Sequence, residues 1–286
     1  MKFGIVSDIY KDPGFAILNK TADLLKSMQQ EVVFPDTRDK HRDHKQANVT
    51  GTWEGVDLAI SIGGDGTFLY TCHEIYGKGI PLIGVNLGMM GFMTEIESED
   101  LESSLRRLAK GDFTLCKRMM LEVWVLNREG QLLLHAFALN DVVLYRGNIS
   151  RIIPCTFTLN GNKIETILSD GLIVAGPTGS TGYALACGGP IIHPQLELIL
   201  FTPISPHSLH NRSYIIEPAS VIEIGIEEDY PFRPSLSVDG RSSVNVGPED
   251  RVVIKRAERP MMLASLESYE FFRRLPDKIN ARGKAR

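Results

Sequence analysis

Residues 56–77 read VDLAISIGGDGTFLYTCHEIYG, an apolar run that breaks on three glycines around one carboxylate and resumes with helical spacing. LAISI suits a buried strand, and glycines allow the sharp turn that a following helix requires. The same succession occurs on both sides of it. KFGIVSD is a short strand followed by an Asp-, Pro- and Gly-rich turn, and residues 15–29 carry Phe15, Leu18, Ala22, Leu25 and Met28 along one helical face. EVVF is another strand, IPLIGVNLG a further strand-to-glycine transition, and SEDLESSLRRLAKG a helix with a start near Ser98 or Asp100 and a stop at Gly111. Strands alternating with helices imply a mainly parallel sheet covered by helices. Ligands of such sheets bind beyond the carboxyl ends of the strands, where both glycine-rich breaks fall.

After about residue 112 the pattern changes. LEVWVLN, QLLLHAFALNDVVLYR, CTFTLNGNKI, GLIVAGP, SYIIEPASVIEIGIE, LSVDGR and RVVIKRA are strand-like pieces joined by short turns, and residues 181–188 supply one brief helix. The expected fold class is therefore α/β, with an amino-terminal Rossmann-like α/β domain over 1–111 and a β-rich domain over 112–262. Residues 263–286 are expected to return to the first domain. The polar stretch 36–52 reads as a surface excursion. His41 and His44 within it have a spacing usable by a metal, but among Lys and Arg they fit a solvated charge run better.

With 286 residues, 43% of them hydrophobic, the chain has material for a large core. A formal net charge of -4 gives no general attraction to nucleic acid or anionic lipid, and no apolar stretch has membrane-spanning length. Cys72, Cys116, Cys155 and Cys187 form no CxxC pair, which favours free thiols and a cytoplasmic location.

Gly63, Gly64 and Gly66 bring backbone N–H groups within reach of phosphate oxygens, and the next helix turns its positive end toward an anion. No Lys-Ser or Lys-Thr pair follows, so this is not a Walker loop, and the glycine spacing is not that of a dinucleotide fingerprint. Asp65 would repel phosphate, so it fits an acceptor for the proton of an attacking hydroxyl or a group near magnesium; an ordinary turn former is the alternative. Thr67 suits a helix cap or a ligand donor.

GVNLGMMGF supplies Gly88, Gly91 and an apolar plate, Phe92, with Met89 and Met90 read as core filling. SDGLIVAGPTGSTGYALACGGP gathers Asp170, Thr178, Ser180, Thr181 and Tyr183 around glycines. Three such loops favour a nucleotide site. Asn140 and Asp141 are an adjacent amide and carboxylate able to grip a ribose diol, with a plain turn as the alternative. Arg146 has the charge to neutralise phosphate, as would any exposed strand-end arginine. His193 and His207 have no defensible Ser-Asp partners for acyl transfer, and Asp239 in SVDG reads as a simple Asp-Gly turn.

GGDGTFL, NLGMMGF, LNDVVLYRG, SDGLIVAGPTGSTGYALACGG and SVDG together resemble the NAD kinases. The resemblance implies transfer of phosphate from ATP, or in some bacterial members polyphosphate, to the 2′-hydroxyl of the adenosine ribose of NAD. It implies a divalent cation, normally Mg2+, with no direct protein ligand assigned to it, and a homodimer or homotetramer with its site between the domains. Asp65 would accept the hydroxyl proton, Gly63, Gly64, Gly66 and Thr67 would shape the transfer region, and Phe92 would face adenine. Asn140 and Asp141 would hold ribose and base, and Asp170 would sit near the nicotinamide end. Thr181, Gly182 and Tyr183 would line the adenine pocket, Tyr183 reaching across a subunit boundary. Three positions depart from the family pattern: Asp141 where Glu is more frequent, Gly182 in place of Ala, and Gly176 in place of Thr. A lipid or sugar kinase sharing GGDG and a non-catalytic nucleotide sensor are the competing readings. Production of NADP from NAD separates all three.

Overall fold

The computed structural model describes residues 1–36, 50–88, 91–148, 150–208, 212–266, 271–273, 275–276 and 280. His41, His44, Met89 and Met90 lie outside the described residues. The chain divides into two compact units, Met1–Lys117 with Met261–Arg286, and Arg118–Pro260.

The first unit is built on a seven-stranded sheet. Its strands, numbered in chain order, are β1 (Lys2–Ser7), β2 (Glu31–Val33), β3 (Leu58–Gly63), β4 (Leu82–Asn86), β5 (Ile96–Glu97), β6 (Thr114–Arg118) and β19 (Met261–Ser265). The order is β2-β1-β3-β4-β19-β6, with β5 also on β4. Every residue of β3 and β4 is buried, as expected for parallel strands covered on both faces. β1 pairs in parallel with β2 and β3, β4 does so with β3, β5 and β19, and the chain thus returns to this sheet at its far end.

Among the described residues α1 (Ala16–Ser27), α2 (Asp65–Ile75) and α3 (Leu101–Ala109) pack on the sheet. Leu18, Ala22 and Leu25 of α1 and Leu101, Leu105 and Leu108 of α3 join Phe3, Ile5, Ile60, Ile83 and Val85 in one core. Gly84 points to the opposite face, where a Cβ would lie 2.8 Å from the Phe68 ring of α2. The amino end of α1 is held by the buried carboxylate of Asp12. It accepts the N–H groups of Ile17 and Leu18, each at 2.9 Å, and the Ser7 hydroxyl.

The second unit is a sandwich of two six-stranded antiparallel sheets. One runs β11 (Asn162–Ser169), β10 (Ile153–Leu159), β15 (Val221–Ile226), β18 (Arg251–Arg256), β7 (Leu121–Leu126), β8 (Leu132–Ala138). The other runs β14 (Tyr214–Ile216), β13 (Ile199–Ile204), β12 (Gly171–Ala175), β9 (Asp141–Tyr145), β16 (Ser235–Val238), β17 (Ser242–Asn245). Alternate residues of β7 and β15 are buried, and Phe157 of one sheet stacks on Phe201 of the other at 4.1 Å between ring centroids. β12 is buried on both faces. Leu172 and Val174 enter the sandwich, while Ile173 and Ala175 pack with Ala184 of the short α4 (Tyr183–Ala186), Ile192 and Leu200.

Several elements differ from the sequence reading, β6 (Thr114–Arg118) among them, which was not an expected strand. β13, whose apolar run contains Pro203, was not among the expected strands. It pairs nonetheless with Leu172 inside the sheet, between β12 and β14. QLLLHAFALNDVVLYR, read as one strand-like piece, is two strands in different sheets, and the break falls at Leu139 and Asn140.

Candidate functional site

β3 ends on Gly63, and α2 begins at Asp65 with Gly64 as its cap. The parallel strand and the helix that follows it place Asp65 at the carboxyl edge of the sheet. Gly63 has φ 156°, and a Cβ there would strike the side chain of Thr67, its Cβ at 2.8 Å, so strand and helix meet too closely for any other residue. Thr67 makes no capping bond. Its hydroxyl donates instead to Asp8 Oδ2 at 3.2 Å, linking the turn after β1 to the loop. A Cβ on Gly66 would meet nothing within 4 Å, so packing does not demand this glycine. Its bareness leaves open space over the first turn of α2.

The half-buried Asp65 carboxylate is oriented by the second glycine loop. Phe92 N–H donates to Oδ2 at 3.1 Å and Met93 N–H to Oδ1 at 3.0 Å. Gly91 is what lets this loop come so close. A Cβ there would overlap Asp65 Oδ1 and lie 2.8 Å from Thr94 Oγ1. Asn86, at the end of β4 and buried, donates to Gly88 O and Glu97 Oε2, while its own Oδ1 has no partner among the described residues. Phe92, half-buried, is therefore tied by its backbone to the same carboxylate whose role the sequence suggested separately.

Sequence reasoning did not single out Lys11. A Cβ on Gly64 would collide with its Nζ, so the ammonium group hangs over the glycine loop from the turn after β1. Lys11 is exposed and lies in a turn remote from GGDG in the chain, so no local spacing announces it.

The second unit gathers its own cluster. Gly176 N–H donates to Asn140 O at 2.9 Å, and a Cβ on Gly179 would overlap that carbonyl and lie 2.9 Å from Asn140 Cα. The PTGSTGY loop is thus seated directly on the Asn140 backbone. Asn140 Oδ1 and Thr178 Oγ1 are buried without a hydrogen-bond partner among the described residues, a costly state unless a ligand supplies one. Thr181 is buried and bonds back to Thr178 O at 3.4 Å. Tyr183, at the start of α4, is 45% exposed. Burial, and then the Cys187, Asp170 and Asp141 groups around it, raise its phenol above the ordinary range.

Asp141 is 8% exposed, with Oδ2 3.6 Å from where a methyl on Gly182 would stand. Burial, and secondarily the charge of Asp239, push its carboxyl up to about 7. Asp170 pairs with Arg146 Nη1 at 3.4 Å, and Arg146 also donates to Ser150 O at 3.3 Å, so its guanidinium is already engaged. Asp239 is more than a turn former. Its buried carboxylate accepts the N–H groups of Leu139 at 2.8 Å, Asn140 at 2.9 Å and Asp141 at 3.0 Å. His193 Nδ1 accepts Gln195 N–H at 3.3 Å, and His207 N–H donates to Leu168 O at 2.8 Å.

Among the described residues no group of three or more His, Cys, Asp or Glu stands together as a metal site, and no helix is long and apolar enough to cross a membrane. A glycine-framed carboxylate at a parallel sheet edge, and an amide–carboxylate pair under a hydroxyl-rich loop, define a nucleotide-handling α/β plus β protein.

Comparison with known proteins agrees. The ATP-NAD kinase N-terminal domain family matches residues 16–113, and the ATP-NAD kinase C-terminal domain family matches residues 139–266. An NAD kinase of Lachnoclostridium phytofermentans is 36% identical over 282 residues, spanning 97% of this chain and 98% of that protein. One of Acetivibrio thermocellus is 34% identical over 287 residues, spanning 100% and 99%. Yeast NADH kinase, solved complexed with NADH, shares the fold at a TM-score of 0.83 and 22% identity, covering 100% of this chain and 87% of that one. An NAD kinase from Archaeoglobus fulgidus, solved in complex with ATP, does so at 0.78 and 24%, covering 98% and 99%. The chain belongs to the NAD kinase family.

Proposed function

We propose that this chain transfers a phosphoryl group from ATP, or from polyphosphate, to the 2′-hydroxyl of the adenosine ribose of NAD, giving NADP. The observation that carries the reading is the Asp65 carboxylate, held by two backbone amides at the glycine loop where α2 begins. A carboxylate has about four acceptor sites, so this grip is compatible with an incoming ribose hydroxyl.

In the reaction the 2′-oxygen forms a bond to the terminal phosphorus of the donor. The bond from that phosphorus to the leaving phosphate oxygen breaks, and the hydroxyl proton passes to Asp65. Most acceleration falls to in-line placement and charge neutralisation. Amides around Gly63, Gly64 and Gly66, with Thr67 and the amino end of α2, form the anion-facing surface, and Lys11 adds a positive charge above it. Family members use a divalent cation with ATP. Magnesium brought in with the donor's phosphates would supply further neutralisation.

On the second unit, Asn140 and Asp141 hold ribose and base, Thr181, Gly182 and Tyr183 line the adenine pocket, and Asp170 lies toward the nicotinamide. Phe92 faces adenine from the second glycine loop. The unpartnered Asn140 and Thr178 oxygens support this assignment, since a dinucleotide's hydroxyls and amines would satisfy them. Arg146 acts through Asp170, which it neutralises, rather than on phosphate directly. The chain works as a homodimer or homotetramer in the cytoplasm, where its four free cysteines stay reduced.

The test is direct. Purified protein is mixed with NAD, Mg2+ and either ATP or polyphosphate, and NADP is read with an NADP-specific dehydrogenase. NADP from at least one donor is expected; its absence with both overturns the reading.

A further inference from the structure

The break between β8 and β9 is where the dinucleotide-holding pair sits, and local sequence does not explain its shape. Successive N–H groups of an extended strand point to opposite sides. Those of Leu139, Asn140 and Asp141 instead converge on one carboxylate, and Asp239 returns its own N–H to Asp141 O at 2.9 Å. Only a carboxylate offers enough acceptor sites without presenting a competing donor. From the other side, Gly176 and Gly179 lock the Asn140 carbonyl. The backbone is thus clamped on both flanks, while the Asn140 Oδ1 and the Asp141 carboxyl have no hydrogen-bond partner among the described residues.

We propose that Asp239 is a positioning residue: its buried carboxylate holds the backbone of residues 139–141, aims Asn140 and Asp141 at the dinucleotide, and by its charge controls when Asp141 accepts a ribose hydroxyl. The inference rests on the reading of Asn140 and Asp141 as the ribose-holding pair.

Among the described residues two titratable groups act with Asp141 in this unit: Asp239 faces it from the turn between β16 and β17, and Tyr183 lies beside it on α4. Asp170, paired with Arg146, acts on Tyr183 instead. Burial first, and then the charge of Asp239, push the Asp141 carboxyl up to about 7. Below that pH a proton occupies one oxygen and the diol loses an acceptor. Above it both oxygens accept. The KM for NAD should therefore rise as pH falls through neutrality, with kcat at saturating NAD little changed by this group.

The experiment measures kcat and KM for NAD from about pH 5.5 to about pH 8.5 on the full chain and three variants. Asp239→Asn removes the charge and turns an N–H2 group toward the backbone amides. It should raise KM about tenfold at alkaline pH, shift the midpoint of the KM profile acidward by about one pH unit, and lower kcat by less than about threefold. Asp239→Glu keeps the charge with a misplaced arm, so KM should rise while the midpoint stays near that of the unmodified chain. Asp141→Asn should flatten the profile.

An Asp239→Asn variant with unchanged KM and midpoint overturns the proposal. So does an Asp239→Glu midpoint that moves as far as that of Asp239→Asn, which would mark a general structural defect. If thermal melts show Asp239→Asn unfolded, the unmodified chain, Asp239→Glu and Asp141→Asn decide, and a flat profile for the unmodified chain is then the overturning result. Should the unmodified chain make no NADP at all, the functional reading fails instead. NAD titration calorimetry over the same pH series then tests Asp239 independently of turnover.

Discussion

Two aspartates in this molecule use one device for different ends. Asp65 takes the N–H groups of Phe92 and Met93, and Asp239 takes those of Leu139, Asn140 and Asp141. Both tie a distant loop to a turn with a carboxylate. Asp65 is half-buried at the start of a helix, beside a bare glycine with open space above it. Asp239 is 8% exposed and closed in by the strands it joins. A carboxylate clamped but accessible is oriented for chemistry, whereas one clamped and enclosed shapes its neighbours. Asp12, buried at the amino end of α1, belongs to the second kind.

The largest expected effect separates the two kinds. Asp65→Asn should cut kcat for NADP formation by about 10²–10⁴ while NAD still binds, because the proton acceptor is gone and the frame remains. Turnover at the normal rate would break the comparison.

Next comes a stability effect from the enclosed side. Asp141 titrates at about 7 in the folded chain against 3.8 as its ordinary value. The folded state therefore binds the proton more tightly. Stability from this group is whole below about pH 4, falls as pH climbs to about 7 and is level above, by up to about 4 kcal/mol. Denaturant midpoints at several pH values should show this slope, and Asp141→Asn should reduce it.

Gly91→Ala tests the exposed clamp from its other half. The added methyl overlaps Asp65 Oδ1, so the loop must retreat, and kcat should drop about 10- to 100-fold with a stability loss of about 1–3 kcal/mol. A crystal structure with both amide bonds intact would contradict the cause. Lys11→Ala should lower kcat/KM for the phosphate donor by up to about tenfold and leave KM for NAD alone, the loss of one solvent-screened charge over the glycine loop. The smallest effect belongs to Gly66→Ala. The Cβ meets no protein atom, so thermal melting should show a gain of about 0.5–1 kcal/mol from helix propensity. A rise in donor KM alongside that gain would show that the open space serves the ligand.

Much of the fold was legible because its signals are local. The largely apolar LAISI and LIGVN, the stripe Leu18–Ala22–Leu25 and the glycine stops are read one window at a time, and they predict β3, β4, α1 and the parallel order. CTFTLNGNKI, read as one strand-like piece, is divided into β10 and β11 by a turn at Asn160–Gly161, with φ 51° and 78°. β13 was not among the expected strands, and Pro203 lies within a strand that neighbours on both sides stabilise. At the site, the three glycine loops were visible as composition, but that Gly91 admits the Asp65 carboxylate is a matter of contact across the sheet edge.

The sequence by itself determined the alternation of elements, the glycine-framed carboxylate and the residue types available for phosphate and ribose, since periodicity and backbone freedom act over a few residues. Tertiary structure alone decided that Asp239 grips residues 98 to 100 positions earlier, and that Lys11 hangs over Gly64. It also decided that β19 enters the first sheet beside β4. The physical reason is common to all three. A hydrogen bond, a charge or a strand pairing is satisfied by whichever group folding brings within about 3–5 Å, and separation along the chain carries no record of that proximity.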